Sequence, residues 1–126
     1  MNVLVVDDEK KIRSVYAKIM QRQGFYVMEA ASIAEAYDRL LDLPADLVLL
    51  DINLPEVDGT LFYDIANVFC RKAKFIVTSV YPLEDQKKLI PGADDYYDKS
   101  DSLQELICKV NRLMGNGVPV SFENPD

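Results

Sequence analysis

Short apolar runs and longer amphipathic segments alternate along the chain. Residues 3–6, 47–50 and 75–80 are runs dominated by Val, Leu, Ile and Phe, with Asp7 and Asp8 after the first, Asp51 after the second, and Thr78 and Ser79 where the apolar part of the third stops. Such runs read as strands buried on both faces, because a strand with one wet face would alternate apolar with polar. Residues 25–29 and 95–98 are shorter and mixed in polarity, which suits the two edges of a sheet. Between the strands, apolar residues recur every three to four positions: Ile12, Val15, Tyr16, Ile19 and Met20; Ile33, Ala36, Tyr37, Leu40 and Leu41; Phe62, Ile65, Ala66 and Phe69; and Leu103, Leu106, Ile107, Val110, Leu113 and Met114. Each spacing predicts a helix with one buried face. The punctuation agrees: Gly24 and Pro44 close the first two, Asp58 caps the third, and Ser32 with Glu35 and Ser102 with Glu105 read as capping boxes. A fourth helix over 83–89 has to be short, and is expected to be loose, because Pro91 and Gly92 cannot continue it.

Five strands alternating with five helices imply parallel pairing through right-handed crossovers, with helices on both faces of a doubly wound α/β sheet. Apolar strands belong in the middle and mixed ones at the edges, so the order 2-1-3-4-5 is expected. That order makes the first and third strands neighbours. Asp7, Asp8 and Asp51 then meet at the carboxyl edge, in the crevice where such sheets bind their ligands.

Composition narrows the function. A chain of 126 residues with 49% apolar and 28% charged residues fits one globular domain, placed over residues 1–114, with the Gly-, Pro- and Asn-rich residues 115–126 as a tail or the start of a linker. The net charge of −7 and the absence of any Lys or Arg run leave no footprint for a phosphate backbone, so direct nucleic-acid binding is not expected. No apolar stretch approaches the length of a membrane span. Cys70 and Cys108 have no metal-ligand spacing and are expected to be reduced, packed thiols of a cytoplasmic protein. The chain has no histidine, which removes imidazole bases, histidine nucleophiles and most zinc sites.

Three converging carboxylates repel one another, and a hard divalent cation relieves that repulsion. Magnesium suits an oxygen-only site that keeps room for a phosphoryl oxygen; a solvated acidic patch without an ion is the alternative. Carboxylates also accept phosphoryl groups, and Lys99 and Thr78, at the ends of the fifth and fourth strands, reach the same place.

Over residues 3–114 the chain resembles the receiver domains of two-component response regulators, which have a flavodoxin-like fold. The resemblance rests on Asp7-Asp8, Asp51 with Leu54-Pro55 and Asp58-Gly59, Thr78-Ser79, and Gly92-Ala93-Asp94-Asp95-Tyr96 leading to Lys99. It implies that Asp51 is the phosphoacceptor, supplied by a phosphohistidine of a histidine kinase or phosphotransfer protein. It implies that Asp8, Asp51 and the backbone carbonyl of Asn53 hold Mg2+, with Asp7 acting mainly through water. Lys99 would pair with Asp51 and then with the phosphate. Thr78 would swing toward the phosphoryl oxygen and Tyr96 would follow inward, changing the surface of the fourth helix, fifth strand and fifth helix for a downstream protein target or effector domain. An ordinary half-buried edge-strand aromatic is the alternative for Tyr96. A homodimer through that surface would draw on Asp94, Asp95, Lys87, Lys88, Glu105 and Lys109.

Where the family usually has proline after the lysine, this chain has Ser100, and a trans Lys99–Ser100 bond is expected because a cis bond there costs about 2.5–4 kcal/mol. Asn53 and apolar Val80 flank the acceptor and are expected to set the lifetime of its phosphate. Two other classes stay open on the residues alone. A phosphatase resembling the haloacid dehalogenases would need a second acid at position 53, and a flavin-binding module would need a Gly- and hydroxyl-rich loop where Asp7, Asp8 and Glu9 stand.

Overall fold

Strand β1 (Asn2–Val6) lies inside the sheet, with β2 (Tyr26–Ala30) on one side of it and β3 (Leu47–Asp51) on the other. Beyond β3 follow β4 (Lys74–Ser79) and β5 (Asp95–Asp98), giving the order β2-β1-β3-β4-β5 with every pair parallel. This computed structural model describes residues 1–53, 64 and 72–115. Its four described helices are α1 (Lys10–Arg22), α2 (Ile33–Asp42), α3 (Leu83–Leu89) and α4 (Leu103–Met114). The helix expected after Asp58, with Leu54, Pro55 and Cys70, lies outside the described residues, as does the tail from 116 on; α3 is therefore the helix expected as the fourth.

The sheet is buried on both faces, and the period of two sorts its residues between them. Leu4, Val6, Val48, Leu50, Phe75 and Val77 pack with Ile33 and Ala36 of α2 and with Ile90. Val3, Val5, Leu47, Leu49, Ile76 and Tyr97 pack with Tyr16, Ile19 and Met20 of α1 and Leu106, Ile107 and Val110 of α4. Continuous apolar runs form the three central strands for this reason. The edge strand β2 leaves Tyr26 and Glu29 exposed, as its mixed sequence predicts.

The start and stop residues act largely as expected. Ser32 Oγ accepts from the Glu35 N–H at 3.2 Å, and Glu35 reaches back to the Ala31 N–H at 2.8 Å. Ser102 Oγ likewise accepts from the Glu105 N–H at 3.2 Å, but the Glu105 carboxylate turns to Lys109, so that box is half formed. Gly115 ends α4 at φ +67, in the left-handed region that glycine adopts without a Cβ clash. The Lys99–Ser100 peptide is trans, with the Ser100 N–H and hydroxyl both donating to Asp98 Oδ1.

Four local expectations are corrected. Val15 and Leu41 are exposed, because both lie at the rim of their helical stripes where the sheet no longer covers them. β4 stops at Ser79 and leaves Val80 66% exposed, since the Val80 N–H is taken by the Asn53 side chain instead of the strand ladder. Cys108 is exposed on α4, not packed. Among the described residues no helix is long and apolar enough to cross a membrane.

Tyr97 gives the fold an alkaline limit. Its hydroxyl donates to the Asp101 and Ser102 carbonyls at 2.8 and 3.1 Å, and burial, reinforced by Asp101, Asp98 and Glu105, pushes its pKa up to about 12. An unfolded tyrosine titrates near ~10. Between those values the native state holds the proton and the unfolded state has lost it, so stability falls as pH rises through that window. Urea midpoints are expected to drop over this range, and to drop less steeply in Tyr97→Phe; equal slopes would refute the assignment.

Candidate functional site

The reversal of strand order between β1 and β3 builds the site. Val6 pairs with Leu50, so the residues that follow each strand's apolar run, Asp7 and Asp51, emerge side by side. Both are buried, Asp8 is exposed at the mouth, and one carboxylate oxygen from each of the three lies within 4.8 Å of the others.

Lys99 enters from β5. Its backbone N–H donates to the Ser79 carbonyl at 2.8 Å, which prolongs the β4–β5 ladder and fixes where the side chain starts. Its Nζ then stands 2.8 Å from Asp7 Oδ2 and 3.1 Å from Asp51 Oδ2. Each buried carboxylate divides its oxygens in the same way. Asp51 Oδ1 accepts the Asn53 N–H at 2.8 Å and Asp7 Oδ1 the Glu9 N–H at 2.9 Å, while the second oxygen of each meets the ammonium.

One ammonium does not neutralise two buried carboxylates and a third at the mouth. Burial holds the Asp51 carboxyl above its ordinary pKa, and the charge of Asp7 adds to that, against the opposing pull of the Asn53 N–H and Lys99. For Lys99, burial works against the charged form, but Asp7 and Asp51 outweigh it and the net shift is upward. The result is an ion cluster with excess negative charge, made of oxygen donors without imidazole or thiolate. That donor chemistry fits a hard divalent cation such as magnesium.

Thr78 stands beside Asp51 in the β3–β4 register and is buried, its carbonyl accepting the Ile52 N–H at 3.2 Å. The Asn53 side chain is engaged at the end of β4, its Oδ1 accepting from Ser79 Oγ at 2.7 Å and from the Val80 N–H at 3.2 Å. Tyr96 is already inside: it is 8% exposed, its hydroxyl donates to the Ile90 carbonyl and accepts from the Ala93 N–H, and Lys87 Nζ lies 6.0 Å over its ring. Four of the six charges expected to reach across a subunit boundary, Asp94, Asp95, Glu105 and Lys109, are engaged within the chain, while Lys87 and Lys88 are exposed. Lys109, 7% exposed, lies 3.4 Å from Asp95 and 3.8 Å from Glu105, Arg112 lies 3.7 Å from Asp95, and Asp94 accepts the Phe75 N–H.

Two residues have supporting roles that motif reading does not assign. Arg13 of α1 donates to the Asp7 carbonyl at 2.9 Å and pairs with Glu29 of β2 at 3.1 Å, so it steadies the turn that carries Asp7 and Asp8. Its place one helical turn beyond Glu9 is the only sequence signal for it. Ser79 sits behind Thr78 and fixes Asn53; being a hydroxyl at a strand end, it is indistinguishable in sequence from an ordinary terminator.

The family model of the response regulator receiver domain matches residues 3–111. This chain belongs to that family. Receiver domains are phosphoacceptors and signalling switches of two-component systems. The chain is 33% identical over 129 residues to the transcriptional regulatory protein CusR of Escherichia coli, an alignment covering 98% of this chain and 56% of that protein. It is 32% identical over 130 residues to the phosphate regulon transcriptional regulatory protein PhoB of Pseudomonas aeruginosa, again covering 98% and 56%. The receiver domain thus spans little more than half the length of these relatives. Among solved structures, a CheY-like receiver domain protein from Methanospirillum hungatei superposes with a TM-score of 0.83 at 26% identity, covering 91% of this chain and 94% of that one. The Thermotoga maritima response regulator TrrA, in complex with Mg2+ and BeF, superposes with a TM-score of 0.79 at 31% identity, covering 89% and 97%. Neither alternative class gains support, since Asn53 occupies the second-acid position of the phosphatases and Asp7 and Asp8 occupy the turn where a flavin phosphate would bind.

Proposed function

We propose that this receiver domain accepts a phosphoryl group on Asp51 from a phosphohistidine of a histidine kinase or phosphotransfer protein. The observation that carries the reading is the buried Asp51 carboxylate, bonded to Lys99 at 3.1 Å within a three-carboxylate cluster at the sheet's carboxyl edge. An Asp51 oxygen attacks phosphorus, an O–P bond forms, the P–N bond breaks, and the imidazole of the donor leaves with the bonding pair and takes up a proton. Asp7, Asp8, Asp51 and the Asn53 backbone carbonyl are the groups that would hold Mg2+, consistent with the magnesium complex of the 31% identical relative. When bound, the ion shields the incoming phosphate from the carboxylates. Lys99 follows the charge from carboxylate to phosphate, and Thr78, adjacent in register, donates its hydroxyl to a phosphoryl oxygen. The chain then acts as a switch that assists its own phosphorylation and dephosphorylation, with no turnover of a separate substrate.

The output surface in this reading comprises α3, β5 and α4, and the partner is a downstream protein or an effector domain in the cytoplasm. Residues 1–114 form the domain and 115–126 lead out of it. The net charge of −7 argues against direct contact with nucleic acid by this domain. A homodimer through the same face would form around Asp95, Glu105 and Lys109, whose pairs are already made within one chain, so cross-subunit pairs would add little.

Incubation with acetyl phosphate and magnesium, followed by intact mass measurement, is expected to show one labile phosphoryl adduct. No adduct from this donor or from a cognate kinase overturns the proposal. Val80 offers no side-chain hydrogen bond to an attacking water, so Val80→Glu is expected to lose its phosphate several-fold faster than the natural chain. Equal rates of decay would remove Val80 from the account.

A further inference from the structure

We propose that Gln86 is a positioning residue of the switch: it ties the loop after β4 to β5 in the resting state, and the phosphorylated state is reached by letting that tie go. The inference rests on the phosphoacceptor reading of Asp51.

Gln86 is the only buried residue of α3, at 0% exposure, so this short helix, whose Leu83 and following Ile90 pack on the apolar core, carries in addition a buried polar side chain against the sheet. Its Nε2 donates to the Tyr81 carbonyl at 2.9 Å and to the Tyr97 carbonyl at 3.0 Å. Both neighbours are acceptors, which fixes the orientation of the amide with its NH2 toward them. Its Oε1 is then left buried without a hydrogen-bond partner among the described residues. An unmet buried acceptor is disfavoured, and a leucine or methionine would anchor the helix without one. What the amide adds is the pair of bonds to Tyr81 and Tyr97.

Those bonds end a continuous path from the acceptor. The Asn53 N–H donates to Asp51, Asn53 Oδ1 accepts from Ser79 Oγ and the Val80 N–H, and Ser79 Oγ accepts from the Tyr81 N–H at 3.0 Å. Residues 79–81 are therefore held in front by Asn53 and behind by Gln86. Thr78 immediately precedes them. A turn of the Thr78 side chain toward a phosphoryl oxygen draws the loop after it forward, while the Thr78 and Tyr97 backbones stay paired in the sheet. Gln86 cannot keep both carbonyls once they separate, and α3, with its exposed Lys87, Lys88 and Leu89, changes position when the Tyr81 bond parts.

The test is amide hydrogen exchange across residues 80–90 in the full chain, free and loaded with magnesium and beryllofluoride, for the natural protein and for Gln86→Met. In the natural protein the free state is expected to exchange about tenfold more slowly than the loaded state. In Gln86→Met the segment is expected to exchange rapidly in both states, with α4 and the central strands unchanged and labelling by acetyl phosphate faster. Retention of the natural protection and of the natural response to beryllofluoride overturns the proposal. Loss of protection throughout the sheet does so too, because it marks Gln86 as a general core residue. Should Gln86→Met fail to fold, Ser79→Ala, which cuts the same path at its front end, is expected to abolish the response, and a natural response there counts against the tie. If the natural protein takes no phosphoryl group, the phosphoacceptor reading fails, whereas the tie is still judged from exchange in the free state.

Discussion

Asp51→Asn is expected to abolish the labile phosphoryl adduct and, in metal-free buffer, to melt at a higher temperature than the natural chain. The two effects share one cause. Asp51 is buried within 4.8 Å of two other carboxylates, and burial, then Asp7, outweigh the Asn53 N–H and Lys99 in setting its raised pKa. A raised carboxyl pKa means that the native state prefers the uncharged group, so a neutral amide of the same shape relieves it while Lys99 keeps Asp7 at 2.8 Å. The gain should be of order ~1 kcal/mol, or roughly 2–5 °C in Tm for a domain of this size. Magnesium, which is held by the same oxygens in the proposed site, should raise the Tm of the natural chain more than that of the variant. Intact mass measurement and thermal melts in chelator and in magnesium read both effects. A variant that accepts phosphate as rapidly as the natural chain sinks the assignment of the acceptor, and one that melts lower sinks the electrostatic account.

How much of this is legible in the sequence depends on which interactions are local. The buried strands were legible because residues 3–6 and 47–50 are apolar without interruption, and only a strand covered on both faces tolerates that. The strand order followed from polarity, and the meeting of Asp7, Asp8 and Asp51 followed from the order. The capping serines were legible for the same reason, since a cap and its partner lie three residues apart. Residues that act through distant backbone groups were not. Gln86 looks like any polar position of a short helix until the fold brings the carbonyls of Tyr81 and Tyr97 to its amide. Arg13 looks like a surface cation until the Asp7 carbonyl appears beside it. The charges of Asp95, Glu105 and Lys109 suggested pairs across a subunit boundary, but Lys109 is buried and pairs with both inside the chain.

Lys99→Met should be the most damaging single change in the site, because it removes the one cation that two buried carboxylates share. Asp7 and Asp51 are 1% and 2% exposed at the side chain, Lys99 is 11% exposed, and the distances are 2.8 and 3.1 Å. Breaking a buried ion cluster by deleting one sign costs about 3–5 kcal/mol, since the two buried carboxylates are left with one backbone N–H each and no counter-charge. The loss should depend on pH in a definite direction. Without Lys99 the folded pKa of Asp51, already raised, moves further above the unfolded value. The native state then binds more protons than the unfolded state, and stability rises as pH falls through the folded pKa. The natural chain should show a shallower rise over the same range, because Lys99 there offsets part of the cost of the charged form. Magnesium should restore part of the stability of Lys99→Met at neutral pH by supplying the missing positive charge, whereas sodium at equal ionic strength should restore much less. Urea unfolding in chelator across the acidic to neutral range, repeated with magnesium, measures all three. A variant as stable as the natural chain in chelator at neutral pH would show that the lysine is not what holds the two carboxylates together.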